Sequence, residues 1–426
     1  MLNVKETASI EYLIKLAAAG ARGEFVQVQA VNWMEILQLG AEHNVIPLIA
    51  CAVKDSPAIE CPDQIREYLL NAMRSSASRN MIRRQRIMHL IRELKAERIP
   101  VKILKGYAIS DCYAYPDCRE SVDTDLLISI KQEKQACALF EKHGFRVRPR
   151  EATSQHVICQ QAKYGMVELH VKLYADLIED VWFQGMKEEE LLKENEIERS
   201  SSDGNYNTLG NTDHLIFLVL HMMKHFISGG LTIKMMLDIA LHFQQNKDTI
   251  NTERFWHIMR QLNYSTFVSS MLQVMIDQDV FKPTDFPGME SVPAENVKLL
   301  LDDLFEGGYM GVKQKKERHE SGMAYNRQML LKKKSQGQYS LYMLWWKARA
   351  GAKYMFPSIK LLQSKYRIAQ THPVTIPFIW VYHVVMFPIK KVQKGVLQRD
   401  IHSGNEKRTD IAKQRIEMFK SLGMIE

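Results

Sequence analysis

The chain has 426 residues, 46% of them hydrophobic, which is ample for a large core and, by length, for two or three domains. Glycine (21) and proline (13) stay at ordinary levels, which excludes a collagen-like or linker-like chain. The net charge of +8 hides an asymmetry: residues 311–426 carry 23 Lys and Arg against 7 acids, whereas the first 310 carry 34 against 42.

The opening segment MLNVKETASIEYLIKLAAAG has an early acid and no basic start, so it reads as an amphipathic helix and not a signal peptide. Residues 5 to about 95 read as helices. Asn32, with Glu35 three positions later, has the pattern of an N-cap opening WMEILQLGAEHN, and Pro47 opens PLIACAVK. A longer helix follows with Met81, Met88, Ile91 and Leu94 on one face. At Ile99 the pattern changes. PVKILKG and VDTDLLISI are short, apolar and β-prone, KQEKQACALFEKHG is a helix closed by Gly144, and FRVRPR is a short strand. HVICQQA and GMVELHVKL flank the turn Lys163-Tyr164-Gly165 as a hairpin. After about Asp176 the chain turns helical again. Asn211 or Thr212 is placed to cap HLIFLVLHMMKHF, which ends at Gly229-Gly230, and LTIKMMLDIALHFQQ follows. The expected class is α+β: a small mixed sheet flanked by helical N- and C-terminal regions. The expected blocks are 1–95, 96–200, 201–310 and 311–426. The six cysteines form no C-x-x-C pair and lie in the first 160 residues, which argues against a disulfide framework and fits a reducing, cytoplasmic setting.

Chemistry concentrates in VDTDLLISI. On a strand, Asp123 and Asp125 share one face, while Thr124, Leu126 and Ile128 point into apolar packing. Two carboxylates side by side repel, and a divalent cation is the commonest reason to keep them so, since Mg²⁺ (or Mn²⁺) takes a few carboxylate oxygens together with substrate phosphates. The bland alternative is a solvated strand edge. Upstream, PVKIL ends in Lys105-Gly106, a turn in which backbone amides and an ammonium can approach a phosphate. Arg119 is a second phosphate candidate. Downstream, Glu168 and His170 share a strand face. Glu168 is expected as third carboxylate and acceptor of a substrate proton, and His170 as a satisfied core histidine. His221 and His225, at i and i+4, either pack near the sheet or touch substrate phosphate or base.

LKGYAISDCYAYPDCRESVDTDLLI resembles the signature of the uncharacterised nucleotidyltransferase family, within the polymerase-beta-like nucleotidyltransferase superfamily. The resemblance continues through Glu168-Leu169-His170, through His221 and His225, and to Asp238 in MMLDIAL. It implies transfer of a nucleotidyl group from a nucleoside triphosphate such as ATP to an acceptor. Asp123, Asp125 and Glu168 would hold the metal, and Lys105, Gly106 and Arg119 the triphosphate. Superfamily enzymes usually carry Gly-Ser after the first strand; here Tyr107 follows Gly106. The alternatives are a non-catalytic nucleotide-binding module or a membrane-surface adaptor of the same fold.

Between Glu320 and Asp400 there is no acidic residue, and residues 321–399 hold 14 Lys and Arg with Trp345, Trp346 and Trp380 among them. Aromatics with flanking lysines suit the surface of an anionic membrane, and a nucleic acid suits it less, because no RNA-binding motif accompanies the charge. The competing expectation is a helical layer with its aromatics buried.

Overall fold

The computed structural model describes residues 4–27, 31–56, 59–150, 154–162, 165–174, 182–183, 186–335, 359, 362, 366, 368, 371–382, 384–386 and 408–426. They form two units, the first being Met1–Tyr325 with Arg415–Glu426 and the second Asn326–Gln414.

Four helices open the first unit: α1 (Val4–Arg22), α2 (Trp33–Glu42), α3 (Ile46–Asp55) and α4 (Asp63–Ala96). The Asn32 side chain accepts from the Glu35 amide and caps α2. α3 is buried from Ile46 to Val53 because α1 and α4 both lie against it. On α4, Met88, Ile91 and Leu94 are buried, but Met81 is half exposed. At its level the buried face of the helix is polar. Ser76 reaches Glu120, Asn80 reaches the Asp117 carbonyl, and Arg84 reaches Ser110 and Asp111.

Seven strands follow: β1 (Val101–Ile103), β2 (Asp123–Ile128), β3 (Arg146–Arg148), β4 (His156–Gln161), β5 (Gly165–His170), β6 (Ile197–Ser201) and β7 (Gly204–Thr208). They make one mixed sheet of order β3-β4-β5-β2-β1-β7-β6. β2 runs parallel to β5 and antiparallel to β1. The architecture is the expected α+β, with helical regions around the sheet. The β6–β7 hairpin was not anticipated, because IERSSSDGNYNT lacks apolar alternation; only Asp203-Gly204 marks its turn. Of the β4–β5 turn, Lys163 and Tyr164 lie outside the described residues.

The period of two decides which side chains meet. Leu126, Ile128, Val157, Cys159, Val167 and Leu169 enter one core with Ile87, Leu90, Ile91 and Leu94 of α4. Leu139 and Phe140 of the helix Glu133–Lys142 join it. Asp125 and Glu168, paired in register, are left to the opposite face.

That face meets the helices Asn211–Ser228 and Ile233–Asn246. With the short helices Tyr107–Ser110 (α5), Glu133–Lys142 (α6) and Glu188–Leu191 (α7) counted, these two are α8 and α9. Neither Asn211 nor Thr212 caps α8. Gly210 holds the cap position, and the Glu194 carboxylate accepts from the Thr212 and Asp213 amides instead. Thr212 Oγ1 is taken by the Asn251 amide. The unit continues through α10 (Thr252–Gln261), α11 (Ser265–Ile276), α12 (Ala294–Gly307) and the first part of α13 (Lys315–Ser335), to Tyr325, and takes in α14 (Arg408–Ser421) from Arg415 onward. Asp303 of α12 meets both Arg318 and Arg415, and both arginines also donate to the Gly229 carbonyl at the end of α8. All six cysteines are free thiols.

In the second unit Leu362 and Ile376 are buried, with Tyr366, Ile379 and Trp380 packed against them. The described residues 376–382 and 384–386 are helical and leave Phe378, Val381 and Val385 exposed, next to exposed Val374. Among the described residues no helix is long and apolar enough to cross a membrane. Trp345 and Trp346 lie outside the described residues.

Candidate active site

The site begins where β1 runs out. The Leu104 amide donates to the Asp125 carbonyl, and its own carbonyl lies 2.5 Å from His214 Nε2 of α8. Gly106 follows at φ +72°, where a Cβ would come within 3.3 Å of both the Asp123 carbonyl and Ser121 Oγ. Only glycine lets this turn close so tightly over β2.

Lys105 is thereby aimed across the sheet. Its Nζ stands 3.3 Å from Asp125 Oδ2, 3.7 Å from Asp123 Oδ2 and 3.1 Å from His221 Nε2. Burial opposes its charge, but Asp125, Asp123 and Glu168 outweigh burial and raise its pKa. Asp123, Asp125 and Glu168 each bring a carboxylate oxygen within 4.8 Å of the others. Asp125 is buried, and among the described residues its Oδ2 has no hydrogen-bond partner beyond the Lys105 ion pair. Burial works against its ionisation, yet Lys105 and His170 hold its pKa below the ordinary carboxylate value. This is the kind of donor set a hard divalent cation takes: carboxylate oxygens from two neighbouring strands, one of the carboxylates buried.

His170 is buried, with Nε2 2.9 Å from Asp125 Oδ1 and Nδ1 3.3 Å from the Lys172 carbonyl. Burial alone would lower its pKa; the hydrogen bonds to Asp125 and Glu168 push it up to about 9. His221 and His225 stand Nε2 to Nε2 at 3.0 Å. Burial and the charge of Lys105 hold both below the ordinary histidine range, His225 at about 4.

Arg119 does not hang free for a phosphate. Its Nε and Nη2 donate to the two carboxylate oxygens of Asp238 at 2.7 and 2.6 Å, and Tyr113 donates to the same carboxylate at 2.7 Å. A buried guanidinium requires such a partner, and the pair ties the loop before β2 to α9. The Tyr107 side chain turns away from the site. Its hydroxyl lies 2.7 Å from Ser201 Oγ and 3.1 Å from Asp203 Oδ2, under the guanidinium of Arg84.

Lys105, Gly106, Arg119, Asp123, His221 and His225 line one cavity of about 350 Å³. Ser121, Lys234 and Asp238 line it too. Lys234, missed in the sequence, donates to the Glu120 carbonyl at 3.0 Å, and burial together with Arg119 lowers its pKa to about 8. It precedes Asp238 by one helical turn, a spacing that could have revealed it. Ser121 was missed as well; it places a hydroxyl beside Gly106, where the side chain of Tyr107 does not.

Carboxylates from two parallel strands meet a lysine on a glycine turn, beside a cavity walled by lysines, histidines and apolar side chains, an arrangement compatible with the nucleotidyltransferase class. The chain belongs to the uncharacterised nucleotidyltransferase family, whose model matches residues 29–276, more than half of its length. No curated protein and no solved structure matches the chain.

Proposed function

We propose that the protein moves a nucleotidyl group from a nucleoside triphosphate to an acceptor with the help of a divalent metal. The convergence of the Asp123, Asp125 and Glu168 oxygens beside a cavity walled by Lys105 and Lys234 carries this reading. The three carboxylates would hold Mg²⁺ or Mn²⁺, which when bound neutralises phosphate charge and favours in-line displacement. Lys105 meets the outer phosphates as a point charge. Lys234 offers a further donor to them, and Arg119 shapes the wall through Asp238. His221 and His225, both neutral, present ring nitrogens or faces to phosphate or base. The acceptor oxygen attacks the α-phosphorus, the bond to the β-phosphate oxygen breaks, and pyrophosphate leaves. Glu168, the expected acceptor of the substrate proton, shares that role with Asp123, the carboxylate of the three that lines the cavity. Catalysis of this kind rests on positioning and charge neutralisation.

The test is incubation with α-labelled triphosphates and cell extract, with pyrophosphate release measured alongside. Asp123→Asn and Asp125→Asn should each abolish metal-dependent turnover while the circular dichroism spectrum stays unchanged. Turnover at the wild-type rate in both would refute the assignment. Triphosphate binding without pyrophosphate release under any acceptor would favour a nucleotide-binding module.

A second reading concerns where the site works. The exposed Val374, Phe378, Val381 and Val385 follow i, i+4, i+7, i+11 spacing, in a stretch with 14 basic residues and no acid between 321 and 399. Such a stripe suits the surface of an anionic bilayer, to which each basic residue near the headgroups adds about 1 kcal/mol. The protein should pellet with phosphatidylglycerol vesicles at low salt, less so at high salt, and not with neutral vesicles. Protein left in the supernatant with both lipids at low salt would discard this reading.

A further inference from the structure

The face of the sheet that carries the carboxylate triad does not stop at Glu168. β4 lies on the far side of β5 from β2, and His156 of β4 pairs directly with His170 of β5. Glu168 precedes His170 by two residues, so both side chains stand on one face of β5 and His156 completes a row across the hairpin. His156, Glu168 and His170 bring ligand atoms within 4.8 Å of one another. His156 Nδ1 and His170 Nε2 each stand 3.5 Å from Glu168 Oε2. A tetrahedral ion with bonds of about 2.0–2.2 Å has donor-to-donor edges of roughly 3.3–3.5 Å. The two edges are thus already at the spacing an ion would impose.

Two further observations point the same way. His156 Nδ1 is buried and has no hydrogen-bond partner among the described residues, although it faces a carboxylate. The other ring nitrogen of His170 is turned to the Lys172 carbonyl at 3.3 Å, the kind of backbone contact that orients a ligating histidine and fixes which nitrogen points inward.

We propose that His156, Glu168 and His170 form a second cation seat, distinct from the all-oxygen triad but sharing Glu168 with it. Two imidazoles and one carboxylate select a borderline transition-metal ion, with Zn²⁺ as the best match, over Mg²⁺, which takes oxygen donors and keeps its waters. The shared carboxylate explains why Glu168 faces the histidines and not the cavity. The ion would take the place of the hydrogen bond that His170 Nε2 now makes to Asp125 Oδ1, and the seat does not depend on nucleotidyl transfer.

The test uses the full chain freed of metal by chelation, with Zn²⁺ binding followed by equilibrium dialysis and Co²⁺ binding by visible absorption. Wild type should take up Zn²⁺ in preference to Mg²⁺, and Co²⁺ should give d–d bands of a low-coordinate site with nitrogen ligands. His156→Ala, a change at a partly exposed strand position, should weaken Zn²⁺ at least about tenfold and erase the Co²⁺ bands, with circular dichroism confirming the fold. Asp123→Asn should keep both signals within a few-fold, even though it abolishes turnover if the triad assignment is right. The proposal is overturned if wild type shows no preference for Zn²⁺, if His156→Ala binds like wild type, or if Asp123→Asn loses the ion as fully as His156→Ala does.

Discussion

At the scale of single residues, charge partners decide more than residue types do. Lys105 and Arg119 both looked like phosphate ligands in the sequence, but only Lys105 ends among the metal-type carboxylates; Arg119 is already spent on Asp238. Lys105→Ala should therefore weaken triphosphate binding more than monophosphate binding, as calorimetry on both ligands can measure, and equal weakening would contradict its role at the outer phosphates. The same partner logic sets a pH dependence of stability. His242 lies buried between α8 and α9, with Nε2 3.0 Å from the Asn211 carbonyl, Nδ1 3.4 Å from Asn246 and the ring beside His214. Burial lowers its pKa from 6.5 to about 4, helped by nearby Arg199 and opposed by Asp238 and the Asn211 carbonyl. Above pH 6.5 it is neutral folded or unfolded and has no effect. Between 6.5 and 4 the unfolded chain binds the extra proton, so stability is lost as pH falls, by up to about 3 kcal/mol. Urea midpoints at pH 7.5 and 5 should show this loss, and His242→Gln should lose less across the same interval. The pair Asp123 and Asp125 was legible because strand period two puts them on one face; the binding of Arg119 to Asp238 was not, because 119 residues separate them.

Among secondary-structure elements, what the sequence hid was mostly what distant residues supply. The helices and strands from Trp33 to His170 follow from periodicity and caps, since each signal lies within a few residues. The β6–β7 hairpin was invisible because its strands are polar and it is held by pairing to β1. The start of α8 was misread because Glu194, 18 residues upstream of Thr212, satisfies its amides. Glu194→Ala should leave those amides without that acceptor and cost about 1 kcal/mol, with a lowered Tm, whereas Asn211→Ala should leave the cap itself intact. Gly106→Ala probes the turn over β2. At φ +72°, alanine carries about 1–2 kcal/mol of backbone strain, and its Cβ presses on the Asp123 carbonyl. Triphosphate affinity should fall with it.

For the whole molecule, the first unit is closed by parts of the chain that lie on either side of the second. Asp303 binds Arg318 at 2.9 Å and Arg415 at 3.2 Å, all three buried. Asp303→Ala would leave two guanidinium groups facing each other without a carboxylate, a change expected to cost roughly 3–5 kcal/mol in chemical unfolding. None of this was legible in the sequence, where residues 311–426 read as basic and helical, with aromatics suited to an anionic membrane surface. The Arg415 side chain donates to the Phe226 carbonyl, a bond between residues 189 apart. At translation speeds of roughly 5–20 residues per second, that separation is a delay of roughly 10–40 s between the making of α8 and the arrival of this arginine. During that interval the nascent chain holds its carboxylates, its lysine and its histidines, but the carbonyls that end α8 still await that guanidinium. Any slowing of translation through residues 326–414 would lengthen that interval.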